Sequence, residues 1–247
     1  AAGLLGDMPE GYEPPVAVVP RSRQGPDDWR QYVTDAQLRA LDPRFRGRLS
    51  LWHGLADPHD PEQQAAFDDL LVREWGWGIE ETGAAVMPHC DPQGQLTGCK
   101  VRALDGRRWS RDGSRYESVY GCWIPRQHRD ALLAEGETDA VWAAFRARVE
   151  GVPVDVRALP RGAGAPPTDL QLDQLRGYRR VYLGLDPDNR GVEATRAWSA
   201  RLLERGIDTR LCRLPLGRDL RDARPSVSTL VAVAKGLGGG FPVGATL

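Results

Sequence analysis

The sequence predicts an α/β protein, α+β overall, in which a small mixed, basic subdomain precedes a domain built on a parallel sheet. Two changes of pattern carry this prediction. Between Ala84 and Tyr120, short β-like runs are separated by the turn clusters DPQG, LDG and RDGS, a pattern of antiparallel strands. From Ala131 onward, apolar strand-like runs alternate with helical segments, which argues for a parallel α/β sheet. A third observation, 41% apolar residues over 247 positions, supplies a core for one or two domains. Intrinsic disorder and small disulfide scaffolds are thereby excluded.

Taken in order, residues 1–50 are expected to form an irregular arm, because residues 1–30 are rich in Pro, Gly and charge without an apolar period. A subdomain over 51–130 opens with a helix from about Pro61 to Trp75. Asp60 is its cap, Pro61 suits the first helical position and Gln63 can complete a capping box; Phe67, Leu70 and Leu71 give it an apolar face. The β-like runs Ala84–Met87, Leu96–Val101 and Ser118–Val119 follow.

The second domain, 131–224, reads as strand Ala131–Ala134, helix Asp139–Glu150, strand Val152–Val156, helix Leu170–Arg176, strand Arg180–Leu185, helix Val192–Arg205 and strand Thr209–Leu214. Ala194, Trp198 and Leu202 recur at four-residue spacing with Leu203 beside them, so one face of their helix is buried. The tail, 225–247, carries one more helix and then Gly-rich chain. It contains no GxxxxGK[ST] pattern, so no P-loop is encoded in this sequence.

No stretch reaches the roughly 18 to 20 consecutive apolar residues of a membrane helix. The start of the sequence has no basic n-region, so the expectation is a cytoplasmic protein without a membrane partner. Cys90, Cys99, Cys122 and Cys212 form no CxxC pair; zinc is not expected, and reduced thiols are. A set of His89, Cys90, Cys99 and Cys122 is the one alternative metal reading. With 33 basic and 34 acidic residues the total charge of −1 is uninformative. Its distribution is not: Leu51–Asp91 holds nine acidic residues and one basic, whereas Gly98–Asp130 holds eight basic and four acidic.

Two runs put carboxylates just past the ends of expected parallel strands, where open α/β sheets bind ligands. In the first, Glu135 ends a strand, Gly136 permits a sharp turn and Asp139 begins a helix. In the second, Asp186 and Asp188 form a D-x-D pair after Leu185, and Gly191 precedes another helix. Asp219, in Gly217-Arg218-Asp219-Leu220-Arg221-Asp222, lies beyond the next strand. Each run alone reads as a cap or a turn. Together their carboxylates require cations to offset their repulsion, and an all-oxygen set favours Mg²⁺ or Mn²⁺.

The ordered set EGETD, DPDNRG and GRD resembles the Toprim domain, the metal-binding fold shared by bacterial-type primases, type IA and type II topoisomerases and some nucleases. EGETDA is similar to the primase branch. The upstream DPQGQLTGCKVR, LDG and SRY…VYG segments resemble the N-terminal subdomain of the bacterial and phage primase core, giving a resemblance from about Leu70 to Asp222. It departs from the family in that GRDLRD is not a D-x-D pair, so Asp222 is only a substitute for its second carboxylate. The family's zinc ribbon and following helicase have no counterpart in these segments.

The resemblance implies synthesis of RNA primers on single-stranded DNA from ribonucleoside triphosphates, with a helicase or a separate zinc-ribbon domain as further partners. It implies metal binding by Asp186 and Asp188, with Glu135 ligating metal or accepting the hydroxyl proton, and Asp139 and Asp219 as second choices. Lys100, Arg102, Arg107, Arg108, Arg111, Arg115 and Arg190 are the candidates for phosphates; Lys100 and Arg102 alternate in a strand and so share a face. Trp109 and Tyr116 can stack on bases or serve the core. Glu137 is expected to face solvent. A Toprim nuclease and a non-catalytic nucleic-acid-binding remnant are the competing functions.

Overall fold

A computed structural model describes residues 26–45, 47–215, 218 and 220–236. Asp219, residues 1–25 of the expected arm and residues 237–247 of the tail lie outside the described residues.

Most of the described part of the expected arm is helical. Helix α1 spans Pro26–Ala40, and α2 spans Arg48–Trp52. Trp29, Val33 and Ala36 make a narrow apolar stripe on α1, and it closes against Ala84, Val86, Cys99 and Val101. With only three members, the stripe does not stand out in a polar, charged stretch; its partner sheet makes it a buried face. Contact is so close that a Cβ on Gly78 would lie 2.6 Å from the Ala36 carbonyl carbon.

Helix α3, Pro61–Asp69, begins as expected: the Asp60 carboxylate accepts from the Gln63 backbone N–H at 2.8 Å. A π turn at Leu70–Glu74 then continues the expected helix towards Trp75. An antiparallel sheet follows in the order β1 (Gly78–Ile79), β2 (Ala85–Cys90), β3 (Leu96–Arg102) and β4 (Arg108–Ser110). The β2–β3 turn is closed by Asp91, which accepts from the backbone N–H groups of Gln93 and Gln95, each at 2.9 Å. All of β2 is buried, since α1 covers one face and the second domain the other. Ser118–Val119, read as a strand, is not one; instead Tyr120 pairs with Ala158 through two backbone hydrogen bonds.

The second domain holds β5 (Asp130–Ala134), α4 (Glu137–Val149), β6 (Asp155–Ala158), α5 (Asp169–Leu175), β7 (Arg180–Gly184), α6 (Asn189–Glu204) and β8 (Asp208–Leu211). Helices α7 (Leu220–Ala223) and α8 (Val227–Val233) follow, and β9 (Lys235–Gly236) adds an antiparallel edge. The sheet order is β6-β5-β7-β8-β9, with the first four strands parallel. Residues of α4, α7 and α8 share a core on one face, and those of α5 and α6 share a core on the other.

Chain therefore leaves β5 and β7 towards opposite faces, and their carboxyl ends flank a topological switch point. One core joins both halves: Phe67 stacks on Phe145 at 4.3 Å, and Trp77 Nε1 donates to the Tyr120 hydroxyl at 2.7 Å. Truncating a fully buried ring such as Phe67 to alanine costs about 3–5 kcal/mol in typical cores. No helix among the described residues is long and apolar enough to cross a membrane.

Candidate active site at the carboxyl ends of the parallel strands

Register places the site. Ala134 pairs with Gly184 across β5 and β7, so Glu135 and Asp186 emerge side by side at the switch point. The Glu135 carboxylate accepts from the Asp186 backbone N–H at 3.1 Å. Both side chains are half-buried. Two sequence-predicted residues from different strands are thus brought together, through the side chain of one and the main chain of the other.

The Asp188 side chain, on an exposed residue, has a local task, accepting from the Gly191 backbone N–H at 2.7 Å as the cap of α6. Gly191 is demanded by the same turn, because a Cβ there would run into the Asp186 carbonyl oxygen. Asp139 is buried in the first turn of α4, with Oδ2 3.2 Å from where a Cβ on Gly136 would lie. An acidic first turn also suits the positive end of the helix dipole.

Among the described residues, no three His, Cys, Asp or Glu side chains form a group able to hold a metal. The Glu135–Asp186 pair fits a hard divalent cation in donor chemistry, since it offers only oxygens. His89, Cys90, Cys99 and Cys122 do not form the alternative set. Their thiols are free, and burial pushes Cys90 and Cys99 up to about 12, keeping them protonated.

The expectation that Glu137 faces solvent is overturned: it is 5% exposed. Its carboxylate accepts from Lys100 Nζ, and His89 Nε2 lies 3.0 Å from the same oxygen. Burial pushes the Glu137 pKa up, but His89 and the Lys100 ammonium outweigh it and hold the carboxyl down at about 2. Burial pushes His89 below its ordinary value against the pull of Glu137. The ammonium is thus the counter-charge, with a neutral imidazole beside it. Sequence reasoning missed this cluster because its members come from β2, β3 and α4, with no shared spacing.

Lys100 also donates to the Pro160 carbonyl at 3.0 Å and lies 5.0 Å above the Tyr116 ring. It and Arg102 do share a face of β3, opposite Cys99 and Val101, which pack towards α1. The Arg102 charge helps burial push His53 down to about 4. Arg107, Arg108 and Arg115 are exposed, with Arg107 paired to Asp105. Arg190 is exposed on the first turn of α6. Arg111 lies 4.1 Å above the Tyr32 ring. Trp109 packs at the edge of the α1 core, and the Tyr116 hydroxyl donates to the Cys99 carbonyl at 2.9 Å. Both aromatics thus make contacts within the fold.

Residues 132–223 match the model of the Toprim-like family. With its antiparallel sheet ahead of that domain, the chain has the fold of a Toprim-type primase core. The Escherichia coli primase catalytic core superposes with a TM-score of 0.55 at 18% identity, over 84% of this chain and 79% of that one. The primase fragment of the bacteriophage T7 primase-helicase protein gives 0.53 at 18% identity, over 66% and 70%. The zinc-binding and RNA polymerase domains of Aquifex aeolicus primase give 0.51 at 20% identity, over 88% of this chain and 57% of that structure. No curated protein sequence matches.

Proposed function

We propose that this chain is a DNA primase catalytic core that joins ribonucleotides into a short RNA primer on a single-stranded DNA template. The observation that carries this reading is the Glu135–Asp186 contact at the switch point of the parallel sheet, beside an antiparallel sheet bearing exposed arginines. A bound Mg²⁺ or Mn²⁺ would make the primer 3′-hydroxyl more acidic and offset charge on the α-phosphate and departing pyrophosphate.

In this reading Glu135 and Asp186 hold the ion, Glu135 being also the candidate acceptor of the hydroxyl proton. Asp188, Asp139 and Asp219 are the further carboxylates. Arg102, Arg107, Arg108, Arg115 and Arg190 neutralise phosphates of template, primer and triphosphate, while Lys100, of the same sheet, is held by Glu137. The division of labour near residue 130, with the basic stretch Gly98–Asp130 before and carboxylates after, belongs to this reading. A helicase is the proposed partner in replication, as in the T7 primase-helicase protein.

The test is incubation with single-stranded DNA, labelled ribonucleotides and Mg²⁺ or Mn²⁺, followed by sizing of the products. Short RNA oligomers are expected, and they should disappear with Asp186→Asn. Shortened template would instead identify a nuclease.

A further inference from the structure

The carboxylates occupy one edge of the parallel sheet, and the opposite edge carries a second charged feature outside that site. At the amino ends of β5 and β7, loops 125–129 and 176–179 enclose a groove of about 580 Å³ lined by Arg126, Gln127, His128, Arg129, Gly177, Tyr178 and Arg179. Four of these seven side chains are Arg or His, and none is a carboxylate. Arg176, next in the chain, is exposed as well.

The loops are fixed relative to one another. Arg179 N–H donates to the Arg129 carbonyl at 2.7 Å, and the Arg126 guanidinium donates to the Gly177 carbonyl. A Cβ on Gly177 would meet that guanidinium, the movable end of a long side chain. Arg126 also lies 6.0 Å from the Tyr178 ring. The acidic groups nearby are partly spent: Asp130 pairs with Arg179 and Arg180, and buried Asp155 accepts from the Tyr178 hydroxyl and the Gln127 N–H. Arg129 and Arg126 remain exposed above them.

We propose that this groove binds the phosphodiester backbone of single-stranded nucleic acid as a second contact, separate from the carboxylate site. Its lining offers cations around the phenol ring of Tyr178. Phosphate contacts need only the cations, whereas the middle of a protein interface is depleted of charge.

The inference rests on the proposed function for the direction of the strand: template engaged at the carboxyl ends of β5 and β7 extends to their amino ends. Each of these strands has five residues, or roughly 17 Å, a distance that a few nucleotides of extended single strand cover. The groove therefore holds template that has left the reaction site, and only oligonucleotides long enough to reach both edges use it.

The experiment measures fluorescence anisotropy of labelled oligothymidylates of graded length, at several salt concentrations, with the full chain. Compared are wild type and the variants Arg126→Gln and Arg129→Glu, singly and together; the exposed Arg129 site serves if Arg126→Gln disturbs the loop. Binding of long oligomers should weaken at least tenfold in the double variant, with short oligomers unchanged. The salt slope should fall by about 1.4, at about 0.7 per lost phosphate contact to a single strand.

An unchanged slope in variants that keep wild-type circular dichroism overturns the groove, while primer synthesis by wild type would leave the proposed function standing. Conversely, a reduced slope from a chain that makes no primers keeps the groove and removes the primase reading. Full competition by polyglutamate, with no effect of oligonucleotide length, would mark a protein-docking face and overturn the proposal.

Discussion

Lys100 of the antiparallel sheet donates to Glu137 in the first turn of α4, two residues after Glu135 and across the boundary between the two halves of the chain. This ion pair, with His89 against it, ties the antiparallel sheet to the start of α4, just beyond Glu135, a proposed metal ligand. Removing one partner of a buried pair leaves an uncompensated charge. Glu137→Ala should therefore cost about 3–5 kcal/mol in urea denaturation. Joint replacement by Lys100→Met and Glu137→Leu should cost less than the two single changes added together, and strict additivity would show that the pair is not coupled.

The same pair sets a pH window. The folded Glu137 carboxyl titrates near 2 rather than at its ordinary 4.5, so the stability it contributes is complete above about 4.5 and drains away as pH falls towards 2. Denaturation midpoints of wild type should fall more steeply through that interval than those of Glu137→Gln. Parallel curves would remove the assignment.

His53 predicts a slope at higher pH. Burial, with the Arg102 charge, lowers it from 6.5 to about 4, and its Nε2 lies 3.1 Å from the Gly83 carbonyl. The unfolded chain binds the proton first as pH falls, so stability present above about 6.5 is lost progressively down to about 4. His53→Gln should flatten that portion of a melting-temperature profile, whatever its effect at neutral pH.

Asp188 has a structural task separable from its proposed metal task. As the cap of α6, it should lose about 1 kcal/mol on replacement by alanine and much less on replacement by asparagine, which also caps well. Primer synthesis should fall at least a hundredfold in both variants. Wild-type synthesis by Asp188→Asn would confine the residue to capping.

Gly191→Ala drives a methyl group into the Asp186 carbonyl. Overpacking of this kind typically costs about 1–3 kcal/mol, and relief requires moving Asp186 or the start of α6. The expected outcome is a folded but less stable protein with primer synthesis reduced to a similar degree as in Asp186→Asn. Normal synthesis and stability would show that this turn tolerates repacking.

Much of the architecture could be read from local pattern. Asp60 and Pro61 mark the start of α3, and the strand-helix alternation after Ala131 gives the parallel sheet with boundaries displaced by only a few residues. The placement of Glu135, Asp186 and Asp188 just past the ends of β5 and β7 was legible because strand ends are visible in sequence. Helix α1 was not legible, since its stripe of Trp29, Val33 and Ala36 becomes a buried face only when β2 and β3 supply the opposing surface.

The sequence by itself determined the order of elements and which carboxylates stand at strand ends, because turn chemistry and apolar period act over a few residues. Tertiary structure alone decided what each charge faces. β5 and β7 are neighbours, so Glu135 meets the Asp186 main chain, and β3 passes the start of α4, so Lys100 is held by Glu137. Coulombic and hydrogen-bond partners are set by distance in space, and chain separation carries no record of it.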